Sequence, residues 1–306
     1  MKTENYDLFG NKITDPKRTM SDYFGVAPFS ILNTVDGDWQ KRKKRWNVLI
    51  NDKGQAREGV LGGSESKKDV MNKMQGSSIL DSVLAELIIK WFTEENFKTF
   101  DPFAGDTVFG FVSAFLKRPF EGIELREEQA SFNQLQCDIN GLPAKYFCDS
   151  SENMDKYIEN ESKDFVFSCP PYADLEVYSD LEDDLSTMSH EDFFKMYSKI
   201  LQNTYKKLKN DRFAVVVTSE VRNKKGEYIQ LVGKTIALMV EAGYMFYNDI
   251  ILVNSVGTLP MRTGRHMNSG RKVGRRHQNV LVFYKGDPKK IKENFSELIP
   301  KNEHYD

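Results

Sequence analysis

The stretch FKTFDPFAGDTVFGFVSAFLKRPFEGIEL, residues 97–125, places a strand-like run before a turn, an apolar stretch of helical period and a second strand-like run. A strand, a helix and another strand in succession form the unit of a parallel α/β sheet. The turn at Asp101–Asp106 carries Gly105, which lets a ligand approach the backbone where the helix begins. Residues 97–125 therefore predict a βαβ unit with a binding edge.

The same alternation runs through the rest of the chain. Strands are predicted at residues 97–101, 119–124, 144–149, 164–168, 212–218, 245–253 and 279–284. Helices are predicted at residues 79–92, 107–117, 126–140, 190–209 and 227–242. The last two strands have no helix between them, so they are expected to pair antiparallel at one side of the sheet. The pattern predicts an α/β fold with a mainly parallel sheet of seven strands.

The composition excludes several classes of protein. The chain has 306 residues, of which 40% are apolar, so a disordered chain or a disulfide-stapled miniprotein is excluded. Its formal net charge of −2 excludes a polycation that coats nucleic acid, so any basic surface must be local. Three cysteines without C-x-x-C spacing indicate neither a disulfide framework nor a metal site. No apolar run is long enough for a signal peptide or a membrane span, which predicts a cytoplasmic protein that does not span a membrane.

Acidic residues follow three successive predicted strands. They are Asp101, Glu124 and Asp149, and the carboxyl ends of parallel strands share the edge where open α/β sheets bind ligands. Glu124 lies about 20 residues after the turn, where an acid accepts hydrogen bonds from both ribose hydroxyls, and Asp149 is placed to accept from an adenine amino group. The alternatives are a helix N-terminal charge at Glu124 and an Asx turn at Asp149.

The sequence FSCPPY, residues 167–172, comes directly after an apolar strand. Pro170 and Pro171 fix φ and remove two amide donors, so they force a rigid turn and hold the Tyr172 ring at the sheet edge. This geometry suits a planar substrate. The alternative is a plain loop in which Tyr172 packs as a lid.

Six cations and no acid lie in residues 261–277, on a glycine-rich loop between the last two strands. They are Arg262, Arg265, Arg271, Lys272, Arg275 and Arg276. Arginine binds phosphates and guanine edges alike, so this loop is predicted to contact nucleic acid, with a solvated loop paired to nearby acids as the alternative. Lys41–Arg45 forms a weaker second patch. Residues 174–184 carry six acids and no base, and one explanation is that they pair with the basic loop before nucleic acid binds.

The order DPFAG, GIEL, CD and CPPY resembles the amino-group DNA methyltransferases that use S-adenosylmethionine. Motif I of that family corresponds to Asp101–Gly105, motif IV to Cys169–Tyr172, and the segment Ser78–Glu86 is similar to the cofactor-binding motif X. The likeness covers about residues 78–286. The stretches WQKRKKRW and NSGRKVGRRHQNVLVFYKGDP also resemble methylases of phages and prophages, which extends it weakly to the N-terminal part.

The resemblance implies a Rossmann-like methyltransferase fold with seven strands, an antiparallel last strand and a small N-terminal extension. The implied cofactor-binding residues are Asp81, Asp101, Phe103, Gly105, Glu124, Asp149 and Ser168. Among them, Phe103 and Gly105 would line the methionine end, and Asp101 and Asp81 would position the amino-acid moiety. The implied catalytic residues are Cys169, Pro170, Pro171 and Tyr172, with the tyrosine stacking on a base turned out of the duplex.

The sequence departs from the family pattern at two positions. Thr107 stands where motif I usually has a second glycine, and Gly110 lies further along. Cys169 stands where the catalytic tetrapeptide has Asp, Asn or Ser, and a thiol is a weak hydrogen-bond acceptor. A covalent cysteine mechanism at ring carbon 5 is not expected, because the double proline is the amino-methylating arrangement in the family.

These observations predict a site-specific methyltransferase that acts on double-stranded DNA, at adenine N6 in the first place. The alternatives are cytosine N4 as the target, a catalytically silent DNA-binding relative of the same fold, and a protein glutamine as the substrate. A phage or prophage type and a restriction-modification context are also predicted. The predicted parts are an N-terminal segment (1–60), a linker (61–77), a methyltransferase domain (78–286) with a basic recognition loop (254–278), and a tail (287–306).

Overall fold

The computed structural model describes residues 20–50, 61–62, 79–172, 176–177, 179, 181 and 183–298. The strands are β1 (Ile31–Asn33), β2 (Leu61–Gly62), β3 (Thr99–Asp101), β4 (Phe120–Glu124), β5 (Ala144–Cys148), β6 (Lys163–Ser168), β7 (Glu176–Val177), β8 (Leu208–Thr218), β9 (Met245–Val253) and β10 (His277–Lys285). The helices are α1 (Met20–Phe24), α2 (Gly37–Ile50), α3 (Ser82–Phe92), α4 (Val108–Phe115), α5 (Glu127–Ile139), α6 (His190–Lys207), α7 (Leu231–Ala242), α8 (Leu259–Gly270) and α9 (Ile291–Asn294). Short 3₁₀ turns lie at Ser151–Lys156, Leu185–Thr187 and Pro288–Lys290.

An eight-stranded sheet in the order β1-β9-β10-β8-β6-β3-β4-β5 forms the centre of the fold. Strand β10 pairs antiparallel with both β8 and β9, while the other pairs are parallel. The predicted fold class, an α/β fold with a mainly parallel sheet and an antiparallel last strand, is confirmed. The antiparallel strand does not lie at the outer side of the sheet, because it inserts between β8 and β9. Strands β3, β4, β5, β6 and β8 end at one edge, which we call the carboxyl edge.

Helices cover both faces of this sheet. On one face α2, α3, α4 and α5 bury their apolar residues, and on the other α6 and α7 do so. Helix α6 follows Ser189, which caps it, because the Ser189 hydroxyl accepts from the amide of Asp192. Helix α7 ends at Gly243, with φ +113, a conformation that glycine adopts without strain. Within the described residues, no helix is long and apolar enough to cross a membrane.

Part of the N-terminal segment belongs to this core. Strand β1 pairs parallel with β9, with Ile31 opposite Ile251, and it is the eighth strand that the sequence pattern does not predict. The stretch WQKRKKRW forms most of α2, and it buries Trp39 and Trp46 against the sheet's own helices. In the predicted linker, the two described residues form β2, which pairs antiparallel with β7.

The structure corrects one predicted element. Residues 259–270 of the predicted basic loop form α8, a helix without buried residues. Pro260 lies in its first turn, where its missing amide hydrogen costs nothing, and Arg271 ends it in the left-handed conformation with φ 49. The two glycines of this helix cost only about 1 kcal/mol each, which is too little to prevent a helix between two such end signals.

Candidate active site

A cleft opens at the carboxyl edge, between the turn after β3 and the corner after β6. Its empty space, including the open mouth, is about 1190 Å³. Eight of the predicted cofactor-binding and catalytic residues line it: Asp101, Phe103, Gly105, Glu124, Cys169, Pro170, Pro171 and Tyr172. The cleft therefore brings together residues from motifs that lie up to about 70 residues apart in the sequence.

Hydrogen bonds to the Asp101 side chain hold the turn after β3 in place. Asp101 is 4% exposed, and its Oδ1 accepts from the Phe103 amide at 2.8 Å and from the Ser168 hydroxyl at 2.6 Å. Gly105 has φ +36, in the region that favours glycine. Ser168 is buried and does not line the cleft, because its hydroxyl faces Asp101 across the two neighbouring strands. Ser168 therefore holds the turn through Asp101 and does not itself face the cleft.

Thr107, the first departure from the family pattern, is fully buried and satisfied. Its hydroxyl donates to Asn133 Oδ1 at 2.7 Å, and Asn133 Nδ2 donates to the Gly105 carbonyl at 3.0 Å. The threonine thus fixes the motif I turn through a side chain of α5. Close packing of helix on sheet falls instead to Gly110, where an added Cβ would lie 2.7 Å from the Phe120 ring.

Two of the carboxyl groups that line the cleft, those of Asp101 and Glu124, have raised pKa values. Burial raises the pKa of Asp101 and that of Glu124 to about 7 each. Nearby charges add to this, since Asp106 and Glu124 raise the pKa of Asp101, and Asp184 raises that of Glu124. A cationic ligand would relieve this repulsion. S-adenosylmethionine carries a sulfonium and an ammonium group, so the carboxyl groups of the lining fit this cofactor.

Asp106 fastens the motif X segment to motif I. Its Oδ2 accepts from the Leu80 amide at 2.7 Å, and its Oδ1 accepts from the Val108 amide at 2.8 Å, in the first turn of α4. Leu80 lines the cleft as a consequence. One carboxylate therefore positions both the beginning of α4 and the residue that covers one wall of the cleft.

Besides Ser168, two predicted cofactor-binding residues, Asp81 and Asp149, lie outside the cleft lining. Asp81 caps α3, and its carboxylate accepts from Trp39 Nε1 at 3.1 Å and from Lys43 Nζ at 2.8 Å. Asp149 accepts from the Tyr157 hydroxyl at 2.7 Å and from other local donors, which lower its pKa to about 2. Both carboxylates are already satisfied by the chain itself. Ser150 and Ser151, next to Asp149, line the cleft instead.

The corner at Cys169–Tyr172 forms the wall of the cleft opposite the motif I turn. Tyr172 is half-buried, and its hydroxyl accepts from Gln278 Nε2 at 2.8 Å and lies 3.6 Å from Cys169 Sγ. Gln278, on β10, also faces Asn254 Nδ2 at 3.4 Å. A polar chain therefore joins the corner to the two ends of the basic recognition loop. Sequence reasoning did not identify Gln278, because a glutamine within an alternating strand gives no distinct signal.

The acidic stretch after the corner contributes to the cleft where it is described. Asp183 and Asp184 line the cleft, and Asp184 caps a 3₁₀ turn by accepting from the Ser186 amide at 2.8 Å. Among the described residues, neither acid forms an ion pair with the basic loop. Asp174, Asp180 and Glu182 lie outside the described residues.

The predicted nucleic-acid contacts divide into two groups. Arg262, Arg265 and Arg271 are exposed on or just after α8. Arg275 is half-buried and donates to the Ser219 hydroxyl at 2.8 Å and to Asn279 Oδ1 at 2.7 Å. Two further cations also contact the protein: Arg276 Nε donates to the Asn254 carbonyl at 2.9 Å, and Lys272 packs over Gly226.

Two cations of the weaker basic patch at Lys41–Arg45 form ion pairs within the protein. Arg42 donates to Glu86 at 2.6 Å, and Trp46 Nε1 donates to the same carboxylate at 2.7 Å, while Lys43 pairs with Asp81. Burial of Glu86 would raise its pKa, but these donors and Lys90 outweigh burial and lower it to about 2. Helix α2 is therefore clamped to α3, next to the cleft.

Further cleft residues escaped sequence reasoning. They include Leu80, Asp106, Leu125, Arg126, Gln129, Ser150, Ser151, Asp183, Asp184 and Leu185. Some had a usable signal: Asp106 directly follows the motif I glycine at the beginning of a helix, and Leu125 directly follows the acid of the second strand. The others line the cleft through loop conformation, which periodicity does not encode.

Comparison with solved structures finds distant likenesses. TrmN from Thermus thermophilus is 15% identical with a TM-score of 0.47, over 72% of this chain and 53% of that one. A SAM-dependent methyltransferase from Methanosarcina mazei is 13% identical with a TM-score of 0.46, over 65% of this chain and 97% of that one. Precorrin-6y C5,15-methyltransferase from Geobacter metallireducens GS-15 is 12% identical with a TM-score of 0.45, over 69% of this chain and 93% of that one. The chain thus spans about half the length of TrmN. No curated protein matches the chain.

The family comparison concerns the C-terminal part of the chain. Residues 163–306 match the model of a family described as DNA methylase, whose name refers to methylation at N6 and N4. The matched residues begin at β6 and include the double-proline corner and the basic loop, whereas the motif I turn lies before them. The predicted resemblance to the amino-group DNA methyltransferases is confirmed for these residues, which make up a little less than half of the chain. The predicted cofactor, S-adenosylmethionine, is the one that this family uses.

Proposed function

We propose that this protein is an S-adenosylmethionine-dependent methyltransferase that transfers a methyl group to an exocyclic base amine in double-stranded DNA, at adenine N6, with cytosine N4 as the alternative. The observation that carries the proposal is the shared cleft. The carboxylates of the motif I edge and the rigid corner Cys169–Tyr172 line the same space, so a cationic donor and a flat amine can meet there. The phage or prophage type, the restriction-modification context and the cytoplasmic location stay predictions.

The chain's own residues prepare the cofactor side. When bound, S-adenosylmethionine supplies an electrophilic methyl group on a sulfonium. Glu124 would accept from the ribose hydroxyls, because it ends β4 at the carboxyl edge and its Oε1 is oriented by the Arg126 amide at 3.0 Å. Phe103 and Gly105 would line the methionine end, and Asp101 would act through the backbone of the turn that it holds. Asp81 and Asp149 would support the cofactor site through α3 and through Ser150.

The corner would position the amine. The two prolines fix the backbone of the corner, so the Pro170 carbonyl points in a set direction in which it would accept from one amine proton, and Cys169 would accept from the other. Two fixed acceptors favour a lone pair localised on the nitrogen, which an amine conjugated to its ring otherwise lacks. Positioning is therefore the main contribution of these residues to catalysis. Tyr172 would stack on the base, with its ring fixed through the hydroxyl by Gln278.

Duplex DNA as the substrate is supported by charge. The exposed Arg262, Arg265 and Arg271 lie on the recognition loop, which begins and ends at the carboxyl edge beside the corner. A protein glutamine would not require such a surface. This argument favours nucleic acid over protein as the partner, and the family described as DNA methylase agrees with it.

The test is a methylation assay with purified protein. Duplex DNA is incubated with labelled S-adenosylmethionine and digested, and its nucleosides are identified by mass spectrometry. We expect N6-methyladenine, and N4-methylcytosine in its place would establish the alternative target. Tyr172→Ala should lower kcat/KM about 5- to 150-fold through lost stacking of about 1–3 kcal/mol, while cofactor binding persists. The matched control is Tyr247→Ala, an exposed tyrosine at the far end of β9, which should retain activity.

Two outcomes would contradict the proposal. DNA binding without cofactor heat in calorimetry and without methylated base would identify a silent relative, the alternative that Cys169 motivates. Cofactor binding without methylation of DNA, combined with methylation of a glutamine side chain, would move the substrate to protein.

A further inference from the structure

A hairpin at residues 221–229 follows β8 at the carboxyl edge, next to the double-proline corner. Arg222 and Tyr228 pair across it, and it closes through the Asn223 and Glu227 backbones, with the Gly226 amide donating to the Asn223 carbonyl at 2.8 Å. Val221 and Ile229 are buried in the core at its base, with 5% and 7% exposure. The hairpin is therefore anchored at both ends by apolar residues.

The tip of this hairpin presents unpaired cations. Lys224 and Lys225 are exposed, and within the described part of the chain neither forms an ion pair or hydrogen bond. The guanidinium of Arg222 lies 3.8 Å over the Tyr228 ring and donates to the Gly226 carbonyl at 2.7 Å. Internal contacts thus stiffen the tip and leave its two lysines to solvent.

One acid lies on the tip as well. Glu227 is exposed, but its Oε2 accepts from Asn223 Nδ2 at 3.0 Å, and its charge is opposed by two lysines and an arginine. Glu220, just before the hairpin, turns inward, because its carboxylate accepts from the first two amides of α7 at 3.2 Å. The charge that the hairpin offers to a partner is therefore positive.

The hairpin and the basic recognition loop form one surface. Lys272 packs over Gly226, whose φ of +88 and lack of a Cβ allow this contact. Arg275 Nε donates to the Ser219 hydroxyl at 2.8 Å, immediately after β8. Asn279 in β10 pairs with Thr218 in β8, so the hairpin and the recognition loop leave the sheet at the same level. Two basic segments therefore lie side by side next to Tyr172.

We propose that the hairpin 221–229 is a second DNA-binding segment, in which Lys224 and Lys225 contact backbone phosphates while the arginines of α8 face the bases. The proposal rests on the proposed function and adds to it. Lysine is a point charge suited to phosphate contact, whereas arginine also reads base edges. A rigid hairpin anchored in the core would set the register of the duplex relative to the corner.

The test measures the salt dependence of binding for the full chain. Affinity for a fluorescent DNA duplex is measured by anisotropy from 50 to 200 mM salt, for native protein, for Lys224→Ala/Lys225→Ala and for a control. The control is Lys289→Ala/Lys290→Ala, two exposed lysines beyond the carboxyl end of β10 and thus at the opposite edge of the sheet. Thermal melting of each variant verifies that it is folded.

Each phosphate contact contributes about 0.9 to the slope of log affinity against log salt. Removing two contacts should lower the slope by about 1.8, so that the variant loses about 12-fold less affinity than native protein across this fourfold salt range. Preference among duplex sequences should not change, whereas Arg262→Ala/Arg265→Ala should alter it. The control should keep the native slope.

Failure of this proposal is distinct from failure of the proposed function. A native protein that binds duplex DNA, with a slope that the hairpin variant leaves unchanged or that the control lowers equally, overturns the hairpin's role alone. No duplex binding at any salt would overturn the proposed function, and the hairpin proposal with it. Tighter binding to RNA of equal length would reject duplex DNA as the partner of this surface.

Discussion

Replacing Glu124 by Gln should flatten the pH dependence of cofactor binding. Burial raises the pKa of Glu124 to about 7 in the ligand-free cleft, and a cationic cofactor that offers ribose hydroxyls binds the ionised form better. About one tenth of Glu124 is ionised at pH 6 and about nine tenths at pH 8, so Glu124 alone should improve the Kd of S-adenosylmethionine about 10-fold over this range. Glu124→Gln keeps the shape and removes this titration.

Calorimetry with cofactor and no DNA provides the measurement, at pH 6, 7 and 8. The cofactor's own amino group ionises near pH 8 and contributes equally in both proteins, so the comparison uses the ratio of native to variant. That ratio should change about 10-fold between pH 6 and pH 8. The control Glu128→Gln, an exposed acid in the first turn of α5, should behave as native protein. A Glu124 variant that weakens binding equally at all three pH values would refute the reasoning.

The same shift predicts the opposite effect on the stability of the ligand-free protein. The pKa of Glu124 is raised from its usual 4.5 to about 7, so the folded state keeps the proton that the unfolded state has lost. The free energy of unfolding should therefore fall as the pH rises from about 4.5 to about 7, by up to about 3 kcal/mol from this group. Urea unfolding of Glu124→Gln should show a smaller fall, and an equal fall would contradict the shift.

Three further substitutions test the scaffold and the corner. Gly110→Ala should lower the free energy of unfolding by about 1–3 kcal/mol in urea titration, because the new Cβ overlaps the Phe120 ring; an unchanged midpoint would show that the helix yields freely. Glu86→Gln should cost about 3–5 kcal/mol by leaving Arg42 without its buried partner, and a loss below about 1 kcal/mol would mean that the clamp of α2 on α3 is weak. Cys169→Ser should raise kcat about 2- to 10-fold, since a hydroxyl oxygen is the better acceptor, and a lower kcat would exclude an acceptor role at this position.

Periodicity and strand-end chemistry predict much of this fold. The seven predicted strands are present with bounds that differ by a few residues, because β-branched runs and turn residues mark them locally. The eighth strand is not predicted, because Ile31–Asn33 is only three residues long and owes its pairing to β9. Helix α8 is not predicted either, because its glycines are typical of a loop. Only Pro260 and Arg271 mark its two ends.

The candidate site divides along the same line. Residues held by backbone geometry, such as Gly105 and the double-proline corner, are placed in the cleft as the sequence predicts. The position of a carboxylate in the site is harder to predict, because it depends on which hydrogen-bond donors lie nearby in the folded chain. Asp149 accepts a hydrogen bond from Tyr157, and Asp81 pairs with Lys43. The spacing of these residues in the sequence does not predict such pairs.

The distribution of charge at the carboxyl edge explains the acidic residues that follow the corner. Asp183 and Asp184 line the cofactor side of the cleft, whereas Arg262 and Arg265 lie on the recognition loop. On the proposed function, the uncharged corner between them would receive the neutral base. Acids at this position would favour a cationic cofactor and repel a phosphate backbone, so the DNA backbone would stay on the basic surface and only an extruded base would enter. Asp183 and Asp184, which oppose DNA binding in the linear sequence, would therefore help to separate the two ligands.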